Sequence, residues 1–379
     1  MKKLLLLIIL WGLWYLAFAT RTIVSPLLPI IENEFGLNHG MAGSLYLFAG
    51  VGATIASLAT GFLAIKIGFK RLIIASFLLT CGACLGIYYA QTYISLAVLL
   101  FLFGLSGGFY LPCAIPMITS VFAPASWGRA ISIHETAAGF SILSVPLVVA
   151  YALGFFEWRF LFVIMACFVA VGILIFLILA PDPQPKKTQR GLFKTIIGRA
   201  DFWIVMILWV NCGMTSMGIY NIVPLYLVDE KGMDLEFANN LFGISRVGGF
   251  FGQVCIGFFL DRFSIKKIMF ILVLASGLST LGMALCVGQG IFVGLMILQG
   301  TFSVMFFPVG LMAISRLTGL EERGVYTGLI MAISQIFGVG LTPLLLGVIA
   351  DAWSFKIGLA ILGILTVSIC PVFVWLRRV

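Results

Sequence analysis

The chain alternates between long apolar runs and short polar breaks, and the lengths of the runs carry the first inference. Twelve stretches qualify: residues 4–31, 41–65, 71–90, 93–121, 129–153, 159–180, 202–228, 237–260, 268–287, 290–315, 324–350 and 356–376. Each comes near or exceeds the ~20 residues that an α-helix needs to cross hydrocarbon. Backbone in lipid must satisfy its own hydrogen bonds, so every run is predicted as a transmembrane helix. That includes the runs holding Pro112, Pro116, Pro146, Pro308 and Pro343, which neighbouring helices can tolerate. At the start of the chain, Lys2-Lys3, a leucine-rich stretch and Ala17-Phe18-Ala19 imitate a cleavable leader. The apolar pattern continues past that point to Ile31, so this segment is read as an uncleaved first helix. The predicted fold class is all-α integral membrane, with twelve transmembrane helices.

The polar breaks are not independent of one another. Gly61 to Arg71 reads Gly-Phe-Leu-Ala-Ile-Lys-Ile-Gly-Phe-Lys-Arg, and Gly257 to Lys267 reads Gly-Phe-Phe-Leu-Asp-Arg-Phe-Ser-Ile-Lys-Lys. The two copies lie 196 residues apart, as do Gly104 and Gly300, and Pro112 and Pro308. Pro29 recurs as Pro224, Arg129 as Arg323 and Trp158 as Trp353 at nearly the same offset. The chain therefore divides into a six-helix bundle over 1–180, a polar linker over 181–201 and a second six-helix bundle over 202–379. Two parallel six-helix repeats are the plan of a secondary transporter, with its substrate held near the midplane.

These residues carry a family resemblance. The loop motif of the major facilitator superfamily is Gly-x-x-x-Asp-Arg/Lys-x-Gly-x-Arg/Lys-Arg/Lys, and the chain resembles that family along its whole length. The first copy keeps Gly61, Gly68, Lys70 and Arg71 but has Ile65 where the acid belongs. The second keeps Gly257, Asp261, Arg262, Lys266 and Lys267 but has Ser264 in place of the second glycine. The resemblance implies the fold and a gating role for these loop residues. It says little about cargo. The missing first acid implies a lopsided latch, dependent on Asp261 alone.

Charge then sets the orientation. Apolar residues make up 62% of the chain and charged ones 10%, against about 45–50% and about 25% for soluble domains. With the N-terminus inside, eighteen Lys and Arg residues fall at cytoplasmic ends and loops, and only Arg159, Lys231 and Lys356 fall outside. The acids lean the other way, eight outside and five inside. This bias predicts cytoplasmic N- and C-termini. The net charge of +9 follows from the same clusters. They form neither a basic face nor an aromatic-basic motif, so a nucleic-acid partner is rejected. The eight cysteines all lie in apolar runs, and Cys81 and Cys84, in CxxC spacing, lack His or carboxylate neighbours. They read as small buried hydrophobes rather than as a metal or redox site. No nucleophile-base pair, P-loop or ligand cluster calls for a cofactor, a metal or an enzymatic role. Short loops and tails suggest a prokaryotic plasma (inner) membrane, and a monomer is expected.

Three charged side chains fall well inside predicted spans: Arg21, Glu135 and Arg246. Intramembrane charge is costly, by about 2.5–3.5 kcal/mol or more, and marks function by default. Arg21 lies eleven residues before Glu32 and Arg246 ten residues after Glu236. At 1.5 Å per residue both sit about 15–16 Å below the outer surface, the depth of the midplane. One comes from each repeat, so together they could clamp an anion, since guanidinium binds carboxylate or phosphate through two bonds. The alternative is that each pairs with a carboxylate or with helix-end carbonyls. Glu135 with His134 could carry a coupling proton. The alternative there is a salt bridge from Glu135 to a cytoplasmic-side arginine, with His134 on a wetted face. Tyr220 and Asn221, ahead of a break expected at Pro224, and Gln253, two turns from Arg246, are further candidates for substrate contact. Gln299 and Gln335 are others. Each could equally serve as an interhelix hydrogen bond. The glycines Gly104, Gly107 and Gly108 read as a site of close helix packing.

The Arg21–Pro29 spacing resembles the first-helix arginine of organic-anion facilitators such as glycerol-phosphate and hexonate carriers. Thr20 stands where the hexonate type has an acid. The favoured reading is therefore a secondary transporter of a small organic anion, coupled to protons or sodium. A multidrug or hydrophobic-compound exporter is the alternative. Against it, Leu100 replaces that class's helix-4 arginine, and Ala138-Gly139-Phe140-Ser141 replaces its Gly-Pro motif. A sensor built on the same fold is a third reading.

Overall fold

The computed structural model describes residues 2–123, 126–183, 192–260 and 262–376, among which all regular structure is helical. The first repeat contains α1 (Lys2–Thr22), α2 (Val24–Phe35), α3 (His39–Ile67), α4 (Phe69–Tyr88), α5 (Tyr93–Val121), α6 (Trp127–Ala152) and α7 (Trp158–Leu179). A short α8 (Leu192–Ile197) lies in the predicted linker. The second repeat contains α9 (Ala200–Gly213), α10 (Ile219–Leu225), α11 (Leu235–Ile244), α12 (Val247–Leu260), α13 (Ile265–Leu285) and α14 (Gln289–Leu317). It ends with α15 (Leu320–Ser334), α16 (Thr342–Ala352) and α17 (Phe355–Ser368).

Among the described residues, 11 helices are long and apolar enough to cross a membrane. The eighth predicted span is the exception. It is divided at Ser245-Arg246 into α11 and α12. The Arg246 N–H bonds to the Gly243 carbonyl, a tighter turn than α-helix. Conversely, the break expected at Pro224 is absent. The chain stays helical from Ala200 to Glu230, with π turns at Met214–Gly218 and Tyr226–Glu230 on either side of α10. A π turn admits an extra residue per turn, which lets a helix change direction without ending. A third π segment, Gln335–Leu341, joins α15 to α16. It packs on the first π turn, where a Cβ on Gly338 would sit 2.6 Å from the Gly213 backbone.

The chain forms two compact units, one of residues 1–27 and 48–188, the other of 28–47 and 189–379. The units are thus not the two repeats, since α2 and the start of α3 pack with the second. Within the first unit α1 packs on α6, and α4 on both α5 and α7. Within the second, α13 packs on both α14 and α17, and α12 on α14. The α4–α5–α7 and α13–α14–α17 groups hold equivalent places, so the sequence repeat is also a packing repeat. Each unit has its own apolar core, around Phe77, Tyr110 and Phe176 in one and Phe202, Trp209 and Tyr326 in the other. Leu4, Phe62, Ile178 and Val374 are exposed, as expected where lipid is the solvent.

Candidate functional site

In the second unit the break in the eighth span places Arg246 in a buried position, 3% exposed. Its guanidinium lies over the rings of Phe242, at 5.0 Å, and Tyr220, at 5.4 Å. Gly300 of α14 makes the space, since a Cβ there would come 2.8 Å from Nη1. Nε and Nη2 are buried without a hydrogen-bond partner among the described residues. A buried donor without an acceptor is costly, and this one carries a full charge. The aromatic faces supply attraction but accept no conventional hydrogen bond. The arrangement is a cation shielded from water, with its Nε and Nη2 donors unpaired among the described residues.

Arg21 in the first unit is seated in a comparable way. It is partly buried one residue from the end of α1, at 5.5 Å over the Phe18 ring. A Cβ on Gly107 of α5 would stand 3.3 Å from its Cδ. In each repeat, then, a glycine on the fourth predicted span accommodates an arginine. The neighbouring Gly104 and Gly108 bring α5 onto the backbone of α3 at Ala49 and Ala53. Both arginines lie at or next to a break in their helix, a feature that hydropathy does not reveal.

The other predicted contacts divide. Tyr220 is fully buried and packs 4.6 Å from Phe242 beside Arg246. The Asn221 amide donates to the Val339 carbonyl at 3.2 Å, and Gln253 to the Val304 carbonyl at 3.2 Å. Gln299 donates to the Thr215 carbonyl at 2.6 Å. These three amides hold helices together through their N–H groups. The carbonyl oxygen of Gln299 is buried without a partner among the described residues.

His134 and Glu135 form a cluster with aromatic residues that sequence reasoning missed. His134 is fully buried rather than wetted, and Glu135 is about one-third exposed. His134 Nδ1 lies 3.0 Å from Glu135 Oε1, and Nε2 lies 3.1 Å from the Tyr110 hydroxyl. That hydroxyl donates to the Leu10 carbonyl of α1 at 2.6 Å. Trp14 Nε1 donates to Glu135 Oε2 at 3.4 Å. The Trp14 ring stacks on Tyr110 at 5.0 Å and on His134 at 5.7 Å. Glu135 pairs with no lysine or arginine among the described residues, so the predicted salt-bridge alternative is not what forms. A buried imidazole–carboxylate pair with one exposed end can hold and release a proton.

The loop-motif residues lie apart from these sites. Gly68 has φ +85° and precedes α4, a conformation that strongly favours glycine. Lys70 Nζ donates to the Ala180 carbonyl at the end of α7 at 2.7 Å, and Arg71 is exposed. In the second copy Ser264 is extended, and its hydroxyl accepts from the Lys267 N–H at 3.3 Å. The serine that replaces glycine therefore caps α13 by its side chain. Arg262 and Lys267 are exposed, and Lys266 is half-buried. Gly61 is exposed on α3, and Gly257 lies on α12. Asp261 lies outside the described residues.

At the acid-rich end of the second unit, Asp351 accepts the backbone N–H groups of His39 and Gly40 at 2.9 and 2.8 Å. The carboxylate on α16 thus caps the start of α3. His39 Nδ1 lies 2.8 Å from Glu32 Oε1 and 3.9 Å from Asp229 Oδ2.

The two bundles of long apolar helices define a multi-pass membrane protein. The chain belongs to the Major Facilitator Superfamily, whose model matches residues 10–291 and 213–379. This is a family of transporters, not of enzymes. The chain is 22% identical to the TsgA homolog of Buchnera aphidicola over 67% of itself and 66% of that protein. It is 26% identical to the cis,cis-muconate transport protein of Acinetobacter baylyi over 64% and 63%. It is 24% identical to the 4-hydroxybenzoate transporter PcaK of Pseudomonas putida over 89% and 81%. The chain thus spans slightly less than two thirds of the first two relatives. Among solved structures, a D-xylose-proton symporter superposes with a TM-score of 0.82 at 14% identity, covering 100% of this chain and 97% of that one. The nucleoside transporter NupG does so with 0.81 at 16%, covering 98% and 100%. At such identity the likeness is one of fold.

Proposed function

We propose that this chain is a secondary transporter that moves a small organic carboxylate across the membrane by alternating access, coupled to protons. The observation that carries the anion is Arg246, a buried guanidinium with two nitrogens lacking acceptors among the described residues. A carboxylate accepts a bidentate pair from such a group, and exclusion of water strengthens it. Arg21, seated against Phe18 and Gly107 in the other unit, is a further candidate for substrate contact. The Tyr220 and Phe242 faces beside Arg246 suit an unsaturated or aromatic acid. The names of two relatives, for cis,cis-muconate and 4-hydroxybenzoate, point the same way. Glu135 and His134 carry the proton. Twelve crossings, both termini in the cytoplasm, a plasma-membrane location and a monomeric working unit complete the reading.

The test is uptake into proteoliposomes of 4-hydroxybenzoate, cis,cis-muconate, a hexonate and a cationic dye, with and without an inward proton gradient. The reading expects accumulation of at least one acid, lost in Arg246→Gln and Arg21→Gln. If the dye alone moves, or both variants transport acids normally, the anion site is wrong. Accumulation that persists in Glu135→Gln, or follows a sodium gradient, removes the proton role.

A further inference from the structure

The donor and acceptor count around His134 carries more than a proton site. The Leu10 carbonyl has no proton to give, so at 2.6 Å the Tyr110 hydroxyl must donate to it. The single hydroxyl proton is then committed. The 3.1 Å contact from Tyr110 oxygen to His134 Nε2 therefore requires a proton on Nε2. That leaves Nδ1 against Glu135 Oε1 at 3.0 Å, where one of the two atoms must also carry a proton. Whether it rests on the imidazole or the carboxyl, the pair holds one proton more than a neutral histidine beside a carboxylate. The geometry is that of the loaded form. Trp14 favours its charge-separated version, with its ring face on the imidazole and its N–H on the carboxylate.

Unloading cannot leave these bonds as they are. The proton departs through Glu135, the exposed end of the chain of groups. The one proton left on the imidazole then belongs on Nδ1, facing the carboxylate, and Nε2 becomes an acceptor. Its contact with Tyr110 survives only if the hydroxyl turns its proton from the Leu10 carbonyl to Nε2. We infer that Tyr110 is a positioning residue that converts proton occupancy of the His134–Glu135 pair into attachment or release of α1 from α5. The same α1 carries Arg21, eleven residues beyond Leu10. Loss of the proton thus loosens the helix that presents the substrate cation, which gives transport a route from proton to binding site within one unit.

The other ionisable groups near the pair are few. Tyr110 faces it from α5, with Cys113 near that tyrosine on the same helix. No Lys, Arg or second carboxylate pairs with it among the described residues. The switch therefore reduces to the His134–Glu135 proton and the Tyr110 hydroxyl.

This inference rests on the proton-coupling reading, and the experiment separates the two. The chain has only two histidines. A His39→Asn variant in nanodiscs, labelled with 15N-histidine, reports His134 alone by NMR. Proton loss from the pair as pH is raised supports coupling, and its absence removes coupling and this inference together. In the unloaded form the expected tautomer is Nδ1–H with an accepting Nε2. An unloaded His134 that keeps its proton on Nε2 overturns the switch and leaves coupling intact. A second arm needs no histidine signal. Tyr110→Phe keeps the stacked ring and is expected to fold. Exchange of 4-hydroxybenzoate or cis,cis-muconate at equal pH is expected to persist, while gradient-driven accumulation falls by about tenfold or more. Accumulation equal to wild type with Glu135→Gln inactive would overturn the role of Tyr110 only.

Discussion

At the residue scale, what a side chain can bind depends on which of its polar atoms are left over. Arg246 and Asn221 both sit in apolar spans, yet the amide already donates to a backbone carbonyl while the guanidinium keeps two donors without acceptors. Arg246→Lys retains charge but loses the planar fork. It is expected to weaken carboxylate binding by about tenfold or more in an uptake assay, with little change in melting temperature. Gly300→Ala places a methyl against Nη1, at the far end of a flexible side chain, and 3.2 Å from the Ser245 carbonyl, which must give by a few tenths of an ångström. The fold is expected to tolerate it, with apparent affinity falling as the guanidinium is displaced. The charges were legible in the sequence because any ionised group in lipid stands out. Their partners were not, because hydrogen bonds between Tyr110 and Leu10, a hundred residues apart, leave no local signature.

At the element scale, helix starts and interruptions do the positioning. Gly68 and Ser264 occupy the same motif position and solve it differently, one by a left-handed backbone and one by a capping hydroxyl. Gly68→Ala is expected to cost about 1 kcal/mol or more. Ser264→Ala is expected to cost about 1 kcal/mol. Ser264→Gly costs only a few tenths. Thermal unfolding in detergent ranks the three. Asp351→Ala removes the remote cap from the start of α3 and is expected to lower the melting temperature as well. Hydropathy located nearly all the spans, since lipid imposes length and composition on each. It misplaced the interruptions. Pro224 suggested a break that π turns on either side make unnecessary, and the turn at Ser245-Arg246 contains no proline.

At the scale of the whole molecule, orientation and the two-repeat plan make their own predictions. A C-terminal fluorescent-protein fusion is expected to fluoresce, and a C-terminal alkaline phosphatase fusion to be inactive, as positive loops stay on the cytoplasmic side. The reverse pattern would invert the topology. The motif copies predict unequal roles: Asp261→Asn is expected to impair uptake, whereas Ile65→Asp is tolerated or slows cycling. Equal loss from both would show that the copies act as a matched pair.

What the sequence alone determined is what the solvent dictates. Apolar runs of bilayer length, short basic breaks and a 196-residue repeat follow from lipid and from internal duplication, and each can be read from the residues alone. Tertiary structure decided the rest. It showed that residues 28–47 pack with the second unit, that glycines on α5 and α14 seat Arg21 and Arg246, and that Tyr110 and Trp14 complete the His134–Glu135 pair. The physical reason is that lipid fixes only how much of a helix is apolar. Which of its faces meets which neighbour depends on packing and on paired donors and acceptors, and these join residues far apart in the chain.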